Sequence, residues 1–340
     1  MSKPKVLYAP TKPHTKRVFN DETFSRLLER FEVSANPSEK DYTSAELAEL
    51  IGGYDGLVTG WGTAPLTEEV LEAADRLRII AHSAGSIKAV LSHQVVSRFI
   101  LPRGICVFSA REAIALNVAE ATVGYMIMAS RRVLDHALAF RERGVWRDPS
   151  IPANGQFLSG STVGVVAASR VGREVIRLLK PFDVRVLVYD PYLSDEEAAQ
   201  LGVVKAGLDT VLSESDFISI HAPMLPQTRG LTGEAELRRL KDGAILVNTS
   251  RGPLIDQRAL LKEAKSSRLQ VVLDVTDPEP PPPDSPLRQL PNVVVTPHIS
   301  GAGYYGYFKI GSSTLQALED FFSGRPVKGL VRLEEYPYIA

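Results

Sequence analysis

Short β-branched runs alternate with stretches of helical apolar spacing along most of the chain. The first run, residues 5–9, predicts a strand. Apolar positions over 24–31 predict a helix, with Asp21 and Glu22 suited to its first turn. A helix over 45–51 and a strand over 56–59 follow. Thr67 reads as an N-cap ahead of Glu68, Glu69 and a helix running to Leu77. Strands over 78–81 and 105–108 complete a first open α/β region. One long helix is expected over 111–132, with Arg131 and Arg132 well placed at its C-terminal end. Segment 143–160, which holds Trp146, is rich in Gly, Pro and polar residues and reads as a connection.

The rhythm then resumes with an informative unit. A strand over 163–166 meets a turn of small residues, Ala167-Ala168-Ser169. A helix over 170–179 carries Val171, Val175, Ile176, Leu178 and Leu179 at helical spacing. A second strand, 184–188, ends at Tyr189 and Asp190. Strand, tight turn, helix, strand and acid outline a dinucleotide-binding βαβ unit. The turn lets backbone amides approach a pyrophosphate, the helix N-terminus adds positive potential, and the acid accepts from a ribose. The fingerprint Gly-x-Gly-x-x-Gly survives only at Gly172, with Ala167 and Ser169 in the other two places. The same outline also suits an ordinary crossover without a ligand.

Further strands are predicted over 217–220, 244–247, 270–273 and 293–295, with helices over 257–264 and 312–322. Each strand runs into a polar cluster, so one sheet edge collects Asp190, Arg251, Asp274, Glu279 and His298. In the first region, the strand over 78–81 leads into His82-Ser83-Ala84-Gly85-Ser86. The amides of Ala84, Gly85 and Ser86 form either a carboxylate cradle or a plain strand-to-helix turn, and His82 is a structural histidine by default. The proline run 278–286 reads as a stiff extended loop, and the tail 332–340 as an extended end.

Composition narrows the class. A chain of 340 residues is too long for one core, so two domains are expected. The net charge of -1, without a long basic stretch, argues against nucleic acid or an anionic membrane as principal partner. Cys106 is the only cysteine, which excludes an intramolecular disulfide and suits a reducing compartment. The N-terminus lacks an apolar signal core, and Glu120 interrupts the most apolar helix, so a cytoplasmic protein is expected.

The strand-end clusters, taken together, resemble the D-2-hydroxyacid dehydrogenase family, which includes the phosphoglycerate, glyoxylate and hydroxypyruvate enzymes. The carrying pieces are Asn248-Thr249-Ser250-Arg251-Gly252, Leu273-Asp274-Val275 with Glu279-Pro280, and Thr296-Pro297-His298; Val118-Ala119-Glu120 is also similar. The resemblance implies an α/β fold with two open parallel-sheet domains and the site in the cleft. A Rossmann-type NAD-binding domain, 112–304, would be inserted in a smaller flavodoxin-like substrate domain, 1–111 plus 305–340. It implies NAD as cofactor, no metal, a small 2-keto or 2-hydroxy acid as substrate, and a homodimer.

By position, the implied catalytic set is Arg251, Glu279 and His298. Implied cofactor contacts are Ser169, Arg170, Val171, Asp190, Ala222, Pro223, Thr228, Thr249, Asp274 and Gly301. Ala84, Gly85 and Ser86 would bind substrate together with Arg251. Arg251 would hold the carboxylate and polarise the carbonyl, His298 would protonate the nascent alkoxide, and Glu279 would stabilise the imidazolium. Ile87 and Lys88 depart from the family, where Asp-Asn is frequent. An NAD-sensing interaction protein on the same fold, or a homologue with weakened cofactor binding, is the alternative.

Overall fold

Two parallel sheets organise the chain, each inside its own compact unit. The computed structural model describes residues 3–151, 156–301 and 303–338. Unit 1 comprises Met1–Ile114 with Ala302–Ala340, and unit 2 comprises Ala115–Gly301.

Unit 1 is built on β1 (Lys5–Tyr8), β2 (Glu32–Ala35), β3 (Gly56–Thr59), β4 (Ile79–His82) and β5 (Cys106–Ser109). Their order is β2-β1-β3-β4-β5, with parallel pairing throughout, which is the flavodoxin-like arrangement. Successive residues face opposite sides of the sheet. Leu7, Leu57, Ile80 and Val107 therefore pack in one core, and Val6, Tyr8, Val58, Ile79 and Phe108 in the other. Burial on both faces explains why these strands read as continuous apolar runs.

Helix Tyr304–Phe322 contributes Ile310, Leu315 and Leu318 to the second core. Glu319 accepts a two-pronged bond from Arg26, at 2.9 and 2.6 Å, which ties this helix to Asp21–Arg30. The tail differs from its expected extended form. Residues Leu333–Tyr338 make a 3₁₀ turn, Tyr336 is buried, and its hydroxyl donates to the Leu91 carbonyl. Two apolar residues, Val331 and Leu333, pull this end into the core.

Unit 2 contains β6 (Thr162–Val166), β7 (Arg185–Tyr189), β8 (Val204–Lys205), β9 (Phe217–Ile220), β10 (Ile245–Asn248), β11 (Gln270–Leu273) and β12 (Val293–Val295). The order β12-β11-β10-β9-β6-β7-β8 is all parallel. This is the doubly wound Rossmann order with one strand added at the end. Strand order reverses between β6 and β9, and open sheets bind ligands outside the strand ends at such a switch point.

The helix expected over 111–132 stops earlier, at Ser130. Arg132 adopts a left-handed conformation (φ 51°) and begins a second helix, Val133–Arg143, with Asp135 bonded to its guanidinium. The chain turn falls where Arg132 leaves helical backbone, and apolar spacing alone does not reveal it. Helix Lys12–Val18 was also hidden, because KPHTKRV has no apolar period; Thr11 caps it and Pro13 sits in its first turn.

Candidate active site

The phosphate turn follows β6. Ala167 takes φ 77°, a left-handed conformation that a Cβ disfavours. The turn is held from the neighbouring strand: Ala167 N donates to Tyr189 O at 2.7 Å, and Ala168 N to Asp190 Oδ2 at 2.9 Å. Asp190 Oδ1 accepts from Tyr192 N at 2.8 Å, so this acid organises two turns while remaining half-buried. Ser169 is the N-cap of helix Arg170–Leu179, and its hydroxyl accepts from Gly172 N at 3.4 Å. A Cβ at Gly172 would lie 2.2 Å from Ala167 O, so only glycine permits this strand-to-helix approach. Arg170 is exposed and Val171 half-buried at the start of the helix. The close turn, the retained Gly172 and the acid at the β7 end fit a dinucleotide.

Across the switch point, β9 leads into His221, buried Ala222 and half-buried Pro223. Thr228 fastens this loop, accepting from Leu225 N at 2.8 Å and donating to Pro223 O at 2.6 Å. His221 is buried with Nε2 2.8 Å from Ser219 Oγ, and burial pushes its pKa down to about 3. It is a neutral structural histidine.

Backbone bonds continue past the ends of β10, β11 and β12. Asp274 N donates to Asn248 O at 3.0 Å, and His298 N to Asp274 O at 2.9 Å. The Asn248 side chain brackets the next turn, accepting from Ser250 N and donating to Arg251 O. Thr249 is buried against Thr122, hydroxyl to hydroxyl at 2.9 Å. Arg251 is exposed, with one guanidinium nitrogen 2.7 Å from Ser250 O. Asp274, only 1% exposed, accepts from Thr296 Oγ1 at 2.6 Å and from the amides of Ile299 and Ser300 at 2.9 Å each. Its place in the structure is thus an anchor for the loop that carries His298, a duty the strand-end pattern did not reveal. Gly301 O accepts from Asn117 Nδ2 at 3.1 Å.

His298 sits at φ 53°, and its Nδ1 is 2.6 Å from Glu279 Oε1. An ionised carboxylate only accepts, so Nδ1 carries the hydrogen in this pair and Nε2 remains to exchange a proton. Both side chains are nearly half exposed, 48% and 41%. Glu279 lies between two cis X–Pro bonds, Asp277–Pro278 and Glu279–Pro280. The structure therefore joins Glu279 to His298 directly, and places Arg251 just beyond β10, which neighbours β11 and lies two strands from β12.

Ala84, Gly85 and Ser86 follow β4 in unit 1. The carbonyls of Ala84 and Gly85 accept from Ser109 Oγ, and Ala84 is fully buried. His82 is buried, 2.9 Å from Thr59 Oγ1 through Nδ1 and bonded to the Ser86 backbone. Burial and the nearby His14 lower its pKa to about 4, so it is neutral near pH 7.

A doubly wound sheet with a phosphate turn, an acid at the next strand end and a carboxylate–imidazole pair defines a nicotinamide-dependent oxidoreductase class. Residues 123–300 match the family described as D-isomer specific 2-hydroxyacid dehydrogenase, NAD binding domain. A glyoxylate reductase of Korarchaeum cryptofilum is 34% identical over 91% of this chain and 92% of its own length. A D-3-phosphoglycerate dehydrogenase of Archaeoglobus fulgidus is 33% identical over 85% of this chain; the chain spans 53% of that longer relative. The crystal structure of a phosphoglycerate oxidoreductase from Rhizobium etli superposes with a TM-score of 0.80 at 25% identity, covering 97% of this chain and 98% of that one. The chain belongs to the D-isomer specific 2-hydroxyacid dehydrogenase family, and NAD is its cofactor.

Proposed function

We propose that the protein reduces a small 2-keto acid to the D-2-hydroxy acid with NADH. The observation that carries this reading is the His298–Glu279 contact of 2.6 Å, formed beyond β12 and β11, with Arg251 beyond β10 on the same sheet edge. Bound NADH supplies the hydride to the keto carbon. Arg251 offers a planar fork of donors to the carboxylate and polarises the carbonyl. His298 gives the Nε2 proton to the carbonyl oxygen, and Glu279 keeps Nδ1–H and the resulting ring orientation fixed. The Ala84–Ser86 loop would add backbone amides to the carboxylate.

Asp190 supports NAD over NADP, because its charge repels a 2′-phosphate and no arginine follows it in Pro191 and Tyr192. Exposed apolar side chains on unit 2, among them Val133, Phe140, Trp146 and Phe157, support a homodimer, and the composition supports a cytoplasmic enzyme. Loss of NADH absorbance with glyoxylate, hydroxypyruvate, pyruvate, phenylpyruvate and phosphohydroxypyruvate tests the reading. Turnover of at least one acid, faster with NADH than with NADPH, is the expected result. A protein that binds NADH and reduces none of them is not this enzyme.

A further inference from the structure

Helix Arg111–Ser130 is largely apolar and gives Ala119, Val123, Met126 and Ala129 to the core of unit 2. Three of its polar side chains, Asn117, Thr122 and Tyr125, reach the strand-end turns, and the hydride and proton steps leave them unused. Asn117 Nδ2 donates to Gly301 O at 3.1 Å. The Thr122 hydroxyl spends its one hydrogen on Val118 O, at 2.7 Å, so the Thr249 hydroxyl donates to it across 2.9 Å. Tyr125 Oη lies 3.2 Å from Thr296 Oγ1. The Thr296 hydrogen goes to Asp274 Oδ1 at 2.6 Å, because an ionised carboxylate only accepts. Tyr125 is therefore the donor to Thr296, and the chain of bonds has one direction, from tyrosine to threonine to aspartate.

That chain ends on the group that holds both flanks of His298. Asp274 accepts from the amides of Ile299 and Ser300 at 2.9 Å each, and its carbonyl accepts from His298 N at 2.9 Å. His298 itself sits at φ 53°, a conformation that a Cβ disfavours, so its neighbours must hold it there. Thr296 stands at one end of the loop and Gly301 at the other, and Tyr125 and Asn117 secure these two ends from one helix. Donation from Tyr125 also polarises the Thr296 hydroxyl and strengthens its bond to Asp274. Thr122 ties the turn before Arg251 to the same helix. A rigid element that grips both turns fixes the separation of imidazole and guanidinium.

We propose that Tyr125 is a positioning residue for the proton transfer: through Thr296 and Asp274 it holds the His298 loop in register with the Arg251 turn. This rests on the keto-acid reductase reading and adds a residue to it. Tyr125 acts through its neighbours and not on the reactants. Its contribution is a His298 ring kept where Nε2 meets the carbonyl oxygen as hydride arrives.

Tyr125→Phe removes one oxygen and keeps the ring that packs against the core. It is compared with the parent, Thr296→Val, Thr296→Ser and the double variant Tyr125→Phe/Thr296→Val. The measurements are steady-state kinetics on the 2-keto acid that the parent turns over fastest, NADH fluorescence titration and calorimetry. Tyr125→Phe should lower kcat by about three- to tenfold, the scale of one hydrogen bond, with keto-acid KM and NADH affinity close to the parent's. Thr296→Val should lose more, and Thr296→Ser, which keeps the hydroxyl, should recover most of that loss. Adding Tyr125→Phe to Thr296→Val should cost no further kcat, because the relay is already cut. A tyrosine that only stabilises the fold would lower the melting temperature and leave kcat alone, and that result overturns the proposal. Losses that multiply in the double variant, or a loss confined to KM, overturn it as well. A parent that binds NADH and reduces no keto acid removes the reductase reading and the role of the relay with it. A parent with turnover that Tyr125→Phe matches removes the relay alone.

Discussion

Histidine does opposite work beyond β12 of unit 2 and beside β4 of unit 1. On unit 2, His298 is nearly half exposed, holds an unusual backbone conformation and pairs with a carboxylate. On unit 1, His14 and His82 are 6% and 3% exposed and pair with serine, threonine and backbone groups. Both edges follow one topological rule, with loops gathered at the carboxyl ends of parallel strands. The difference lies in solvent and partner. An exposed imidazole against a carboxylate can move a proton, whereas buried rings among neutral groups stay neutral and set shape.

The largest expected effect separates those two kinds of histidine. His298→Ala should lower kcat by about a thousandfold, within the range of a lost general acid, while NADH titration stays close to the parent. Its melting temperature should change little, because the ring is partly solvated. His82→Ala should instead lower the melting temperature. It opens a cavity and leaves Thr59 Oγ1 without its partner, costing about 2–4 kcal/mol. Steady-state kinetics and calorimetry on both variants check this. A His298→Ala enzyme with normal turnover would break the comparison outright.

Acid offers a second way to separate the edges. His14 and His82 have folded-state pKa values lowered from 6.5 to about 4, and His221 in unit 2 to about 3. Between 6.5 and 4 the unfolded chain binds more protons at these sites than the native one, so stability rises with pH there. The contribution is complete above pH 6.5 and is lost on acidification towards the folded values. His14 and His82 each account for on the order of 3 kcal/mol at most, and His221 for on the order of 5. Two such rings in unit 1 against one in unit 2 should make unit 1 lose stability about twice as steeply from pH 6.5 to 4.5. The two tryptophans are divided between the units, Trp61 in unit 1 and Trp146 in unit 2. Urea midpoints of Trp61→Phe and Trp146→Phe across that pH window therefore report the units separately. Equal slopes would show that His14 and His82 are not the controlling groups.

The sheet edge of unit 2 was legible in the sequence because its signals are local. Buried strands are apolar on both faces, and Asn248, Asp274 and Thr296 mark where three of them stop. Partnerships across the chain were less legible. Asp274 reads as a strand-end acid, yet its three acceptor contacts lie 22 to 26 residues away. The edge of unit 1 was legible at its β4 loop, residues 82–86, and silent elsewhere. His14 comes from a polar helix without apolar period, and its anchor Ser83 is 69 residues distant. A local signal that the strand-end reading passed over is Gly60-Trp61-Gly62, an aromatic between glycines where a buried strand ends.

The smallest expected effects lie in the phosphate turn, where the two replaced glycines differ in kind. Ala167 occupies a left-handed conformation at φ 77°, which burdens any residue with a Cβ by roughly 1–2 kcal/mol. Ala167→Gly should relieve that strain. The greater freedom of glycine in the unfolded chain opposes the gain by about 0.4–1 kcal/mol, so a net stabilisation below about 1.5 kcal/mol is expected. Ser169 is different: at φ -62° it has ordinary extended geometry and caps the helix through its hydroxyl. Ser169→Gly removes that cap and should cost a few tenths of a kcal/mol. The amide of Gly172, which now donates to Ser169 Oγ, would then be free for a phosphate oxygen. Ala167→Gly is accordingly expected to raise the melting temperature with NADH affinity little changed, and Ser169→Gly to lower it slightly while tightening NADH. Calorimetry with fluorescence titration distinguishes the pair. If Ser169→Gly weakens NADH, the hydroxyl itself donates to the phosphate, and the serine is a cofactor ligand as well as a helix cap.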